Sequence, residues 1–203
     1  FPAGTSVSSD RNAWTGEIQL PTRFVTVVAK YFNGSDLRFY FANQLFSTFN
    51  DATGLTGTAS APSIDGSSTV VFGLLNGVPV VAPQEPIRGQ GGFVDLGFPL
   101  SRIFNADPSG RNAGWTLNLH YGLDNALARD VRRLGAANRQ KSDVAVGTLS
   151  YKMNNFVSFV LEESYYRTRA IANPTTGALP LFEGRPNREW KDFRSEFGPI
   201  FSF

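Results

Sequence analysis

Hydrophobic and polar residues alternate by two along most of this chain. From 114 to 124, Trp115, Leu117, Leu119, Tyr121 and Leu123 fall on one side, with Thr116, Asn118, His120, Gly122 and Asp124 on the other. A strand sends successive side chains to opposite faces, so this segment has one apolar wall and one polar wall. Segment 36–49 repeats the pattern, with Leu37, Phe39, Phe41, Leu45 and Phe49 set against Arg38, Tyr40, Gln44 and Thr48. The same period runs through 93–104 (Val94, Leu96, Phe98, Leu100, Phe104), 143–153 (Ala145, Leu149, Tyr151, Met153) and 156–168 (Val157, Phe159, Leu161, Tyr165). Segment 23–32 alternates less cleanly. The chain ends on alternating aromatics at Phe193, Phe197, Phe201 and Phe203.

Between these segments, short and long connections take turns. The short ones are Asn33-Gly34-Ser35, 105–110 and Asn154-Asn155, all made of residues that tolerate positive φ or preset a turn. The long ones, 51–90, 125–142 and 170–188, are rich in Gly, Pro, Ser, Thr and Asn. No linker divides the chain, so 1–203 reads as a single domain. The predicted strands run to roughly 11–14 residues, against about 5–6 in an ordinary sheet and about 9–11 in a tilted membrane strand. The expected fold is therefore all-β: a transmembrane antiparallel up-and-down β-barrel with the three long loops on the outer side. The competing fold is a secreted β-sandwich, which would bury the apolar rows against a second sheet.

Composition changes the picture mainly by exclusion. Hydrophobic residues make up 41% of the 203, and no run approaches the roughly 20 apolar residues of a membrane helix. A barrel remains open, because its polar lining dilutes the average. Cysteine is absent, which removes disulfides, thiolate metal sites and cysteine nucleophiles. With His120 as the single histidine, a multi-histidine metal centre is excluded, and neither a metal nor another cofactor is expected. A net charge of +2 with 18% charged residues gives no sign of a nucleic-acid partner. Catalysis finds little support. A serine hydrolase would need His120 as base, yet that residue lies mid-strand and no Gly-x-Ser-x-Gly elbow exists. Glu162 and Glu163 are neighbours on a strand and so point to opposite faces. Glu163 then falls on the apolar face, which conflicts with lipid exposure unless it lies near a rim or at a protein contact.

The final segment, Trp190-Lys-Asp-Phe-Arg-Ser-Glu-Phe-Gly-Pro-Ile-Phe-Ser-Phe203, resembles the terminal strand of bacterial outer-membrane β-barrels, which ends in Phe after alternating apolar residues. The resemblance implies that Phe197, Phe201 and Phe203 form the signal read by the barrel assembly machinery. Pro199 departs from the pattern by removing a ladder donor, which suggests a bulge. Segments 15–51 and 111–134 also look similar to porin-like proteins of Gram-negative bacteria. That likeness implies an outer-membrane location, a homotrimer and a channel for passive diffusion of small polar solutes. The alternative is a structural or adhesive barrel with no open pore. In the channel reading the lining would include Arg38, Gln44, Asp95, Asn118, His120, Lys152, Glu162, Arg194 and Glu196. Outside, among the outer-membrane lipids, the basic loop residues Arg129, Arg132, Arg133, Arg139 and Lys141 would bind lipopolysaccharide phosphates or attract anionic solutes.

Placing Phe203 at the inner rim makes the last strand run inward, and the earlier ones alternate back to 23–32, which then also runs inward. This gives seven strands, whereas single-chain bacterial barrels use even numbers. Either 14–20 is an eighth strand, or the chain is the C-terminal part of a larger barrel. The second is preferred, because 1–12 reads as a loop and Pro21 begins nothing like a hairpin turn. The apolar stretch 67–82 reads first as an extra strand pair of the wall, and second as a loop folded into the lumen.

Overall fold

A computed structural model describes residues 12–35, 70–75, 78–83, 88–132, 138–182 and 184–202. The predicted strand 36–49 lies outside them, as do Arg38, Gln44, Arg133 and Phe203. Seven strands form one antiparallel sheet: β1 (Ala13–Pro21), β2 (Thr26–Ser35), β5 (Arg88–Pro99), β6 (Trp115–Ala126), β7 (Asn138–Lys152), β8 (Val157–Ile171) and β11 (Glu189–Phe201). They pair in that order, each with its neighbour in sequence among the seven. Two small hairpins stand apart, β3 (Val70–Leu75) with β4 (Val78–Pro83) and β9 (Leu181–Phe182) with β10 (Arg185–Pro186). The all-β class and the up-and-down order are as expected. The sheet is nonetheless open: among the described residues β1 and β11 each pair on one side only.

The β1–β2, β5–β6 and β7–β8 connections lie at one end of the sheet, the short-turn end, although 100–114 between β5 and β6 is longer than 127–137 at the opposite, long-loop end. At the short-turn end, 22–25 joins β1 to β2. There the Thr22 Oγ1 hydroxyl donates to Val25 O at 2.6 Å and accepts from Val25 N at 3.1 Å. Between β7 and β8, Asn154 Oδ1 accepts from the amides of Phe156 and Val157, both at 2.8 Å. The β5–β6 connection holds a helical turn (Leu100–Ile103), the Asp107–Ser109 turn and a 3₁₀ turn (Arg111–Gly114). Leu100 and Phe104 therefore leave the apolar row that the alternation assigned to 93–104. Exposed Phe24, Phe104, Met153 and Phe156 cap this end.

Several expectations change. Asn33-Gly34-Ser35 is not a turn but the end of β2, paired with β5 and β1. A side chain on Gly34 would strike Asn12 O at 2.6 Å, so glycine serves close approach between strands there. The turn sits at 22–25, which makes 14–20 a full strand and reverses the direction expected for β2 relative to the later strands. Of the stretch 67–82, β3 and β4 pair with each other and, among the described residues, with no strand of the seven-stranded sheet. Pro199 marks no bulge, because the β8–β11 register runs unbroken past it. The irregularity falls instead between Arg139 and Lys141. Those two residues belong to β7 rather than to the basic loop.

Among the described residues, hydrophobic side chains are buried only at the long-loop end. Among the described residues the buried hydrophobics are Ala126, Val131 and Ile171, clustered with Ala128. The helical turn Ala128–Arg132 brings Val131 there and carries the fully buried Asp130. Asp130 accepts from Arg88 N, Nε and Nη2 at 3.2, 2.9 and 3.2 Å, which ties the β6–β7 connection to the start of β5.

Candidate functional site

Directly paired residues of an antiparallel sheet share a face, so the registers sort every side chain. One face carries rows such as Ile18, Ala29, Val94, Tyr121, Ala145, Tyr165 and Phe193, with Leu20, Val27, Leu96 and Leu119 in the next. Toward the short-turn end follow Phe98, Leu117, Leu149, Leu161 and Phe197. Aromatic pairs bracket this band. Trp14 and Tyr31 lie 5.2 Å apart near the long-loop end, and Trp115 and Tyr151 lie 4.7 Å apart at the other. Nothing covers the band among the described residues: Ile18 is 52% exposed, Phe193 67% and Phe197 73%.

The opposite face is polar and internally paired. Glu17 meets Lys30 at 3.6 Å across β1 and β2. His120 and Asp95 are direct cross-strand partners, with Nδ1 donating to Oδ1 at 2.5 Å, and the His120 ring stacks on Phe93 at 5.7 Å. Thr148 Oγ1 donates to Glu162 at 3.2 Å. Arg194 lies 3.8 Å from Asp192 and 3.9 Å from Glu196 along β11. Glu162 and Glu196 are direct partners, a like-charge pair that a sheet disfavours, and the Arg194 and Thr148 contacts offset it.

The registers bring together seven of the nine residues singled out as a lining. Asp95, Asn118, His120, Lys152, Glu162, Arg194 and Glu196 all fall on the polar face. Glu17, Gln19, Lys30 and Asp192 join them unanticipated. The first three sit in the β1–β2 hairpin, whose turn was misplaced. Alternation along 14–20 was the available signal, but Val28 and Phe32 on the polar face blurred it in β2.

The other groups are scattered. Phe197 and Phe201 lie exposed on the apolar face of β11. Arg129 is exposed and reaches Asp130 at 3.3 Å, and Arg132 is exposed nearby. Lys141 sits in β7 on the apolar-face side at the long-loop end, in the same row as Arg169 and Glu189. Beside that row, Asp143 is clamped by Arg167 at 2.8 Å and Arg169 at 3.3 Å. Glu163 does fall on the apolar face. Its Oε1 accepts from Ser195 Oγ at 2.7 Å, and its buried Oε2 has no hydrogen-bond partner. It lies one strand from the edge.

Among the described residues no group of three or more potential metal ligands comes together. Chemically, the arrangement offers a polar sheet face that leans acidic, with Glu17, Asp95, Asp124, Glu162, Asp192 and Glu196 against Lys30, Lys152 and Arg194, backed by an apolar face left bare among the described residues. Comparison with known proteins finds no matching family model, no matching curated relative and no matching solved structure.

Proposed function

We propose that the chain is the C-terminal part of a porin-like outer-membrane β-barrel that lets small polar solutes diffuse through its bore. The observation carrying this reading is the contrast between faces. A band of Ile, Leu, Val, Phe and Tyr lies bare on one side, and a sheet stable in water would cover it. Lipid supplies that cover, leaving the polar face to line water. The girdling Trp–Tyr pairs sit where a bilayer changes from hydrocarbon to headgroups.

The open edges of β1 and β11 support the larger barrel. Each backbone group left unpaired in hydrocarbon costs several kcal/mol, so further strands are required to close the sheet. In this reading the long-loop end faces outward, toward lipopolysaccharide, and the short turns face inward. Assembly uses the terminal aromatics as its signal, and the mature channel is a homotrimer.

Single-channel recording of the full-length protein in planar bilayers tests the proposal. Discrete, ohmic current steps are expected. A correctly inserted protein that carries no current rejects the channel and leaves the structural or adhesive barrel. Release from cells without detergent rejects the membrane barrel altogether.

A further inference from the structure

The two ends of the sheet treat their cations differently. At the long-loop end Arg88, Arg167 and Arg169 are each matched by a carboxylate, that of Asp130 or Asp143. At the short-turn end Arg23, Arg102 and Arg111 are exposed, and none of them makes an ion pair among the described residues. The connections of that end contain one acid, Asp107. Its carboxylate already accepts from the hydroxyl and the amide of Ser109, at 2.7 and 2.9 Å. Lys152, the remaining cation there, stands on the polar face.

The topology gathers these arginines into one corner. Because β2 and β5 are neighbours, the 22–25 turn lies next to the helical turn Leu100–Ile103. Arg102 Nη1 donates to Arg23 O at 3.3 Å, which fastens one connection to the other. That helical turn packs in turn on the 3₁₀ turn that begins with Arg111. The Arg23 guanidinium carbon stands 5.2 Å from the Phe24 ring centroid. A guanidinium laid on a ring keeps the N–H donors of its rim free for another partner. Phe24, Ile103 and Phe104, on the same two connections, are exposed. One step into the sheet, Trp115 and Tyr151 form their aromatic pair.

We infer that this corner is a docking site for an anionic glycerophospholipid, an inference that rests on the membrane-barrel reading and names a lipid partner for its short-turn end. In that reading the Trp115–Tyr151 pair marks the boundary of the hydrocarbon, so the arginines beyond it stand at the level of the lipid phosphates. A phosphodiester spreads its charge over two oxygens, which match the planar fork of a guanidinium. Phe24, Ile103 and Phe104 enter beside it, among the glycerol and the first methylenes of the chains. Three unpaired cations in one corner favour a lipid of net negative charge over a zwitterionic one, whose own ammonium they repel. An acidic protein surface would answer the arginines as well, but it would also have to cover aromatic tips that the bilayer already covers.

The test titrates the full-length protein with phosphatidylglycerol, with phosphatidylcholine of the same chains, and with glycerophosphoglycerol, the headgroup without chains. Native mass spectrometry reads the bound lipid. Phosphatidylglycerol is expected to bind about ten-fold tighter than phosphatidylcholine. Arg23→Gln and Arg102→Gln each raise its dissociation constant about five-fold, the scale of one cation at an anionic lipid surface. Arg185→Gln, exposed at the opposite end, leaves it unchanged. Equal binding of the two lipids overturns the site, and so does phosphatidylglycerol binding that survives the double substitution of Arg23 and Arg102. A headgroup that binds as tightly as the lipid overturns it in favour of a free phosphodiester site. A protein that needs detergent yet binds neither lipid overturns the site, keeps the barrel and leaves the arginines to an acidic protein. A protein soluble without detergent that still binds phosphatidylglycerol through these arginines upholds the site and rejects the barrel.

Discussion

The long-loop end and the middle of the sheet are held together differently. At the loop end, Ala126, Val131 and Ile171 close a small conventional core, and Asp130 disappears beneath Arg88. In the middle, the same strands carry larger side chains that stay bare, Leu119 at 41% and Leu161 at 38%. Sequence hydrophobicity alone would rank the middle as the core. In the proposed reading the cover for those side chains is lipid.

Leu119→Lys breaks the comparison hardest. On the apolar face at mid-strand it is expected to destabilise the bilayer-folded protein by about 2–4 kcal/mol, whereas Asn118→Lys on the polar face changes it by less than about 0.5 kcal/mol. Urea titration in lipid vesicles measures both, and equal effects would undo the assignment of faces.

The loop-end core obeys the usual rules of a buried pair. Asp130→Ala removes the acceptor of three Arg88 donors. Because Arg88 keeps partial access to water, the expected loss is about 2 kcal/mol rather than the full cost of a stranded charge. Faster proteolytic cleavage within 127–137 reports it.

Glu163→Leu sharpens the contrast. Replacing a carboxylate whose buried Oε2 has no partner is expected to stabilise the protein by about 1 kcal/mol if lipid covers that face. A weakened oligomer on a native gel would instead mark a protein contact there.

The smallest effect lies in the β5–β6 connection. Hydrogen bonds from the Ser109 hydroxyl and amide hold the Asp107 carboxyl below its ordinary range. Its contribution is present above the unfolded carboxylate value, about 3.9, and is lost as pH falls through the lower folded value. Asp107→Ala should therefore unfold earlier than the parent above that window and match it below.

Much of this was legible in the residues. Strict alternation located β6, β7, β8 and β11, because strands with two unlike faces carry a period of two. What failed was pairing. Asn33-Gly34 has the composition of a turn, yet Gly34 is there for strand contact, and Thr22 closes the turn through its side chain. That displacement hid Glu17 and Lys30. The polar-face residues were readable one by one, since each stands between apolar neighbours along its strand. Their partners were not: Asp95 with His120, or Ser142 with Thr168, is a matter of register, which no single strand encodes.

The crown of Phe24, Phe104, Met153 and Phe156 on the short turns has its own consequence in the proposed setting. Four oily tips beyond the aromatic girdle work like a keel. Sinking pushes them into water, and rising drags the charged rim opposite out of its bath. The protein thus rides at one depth, and its mouth keeps a constant height above the lamella.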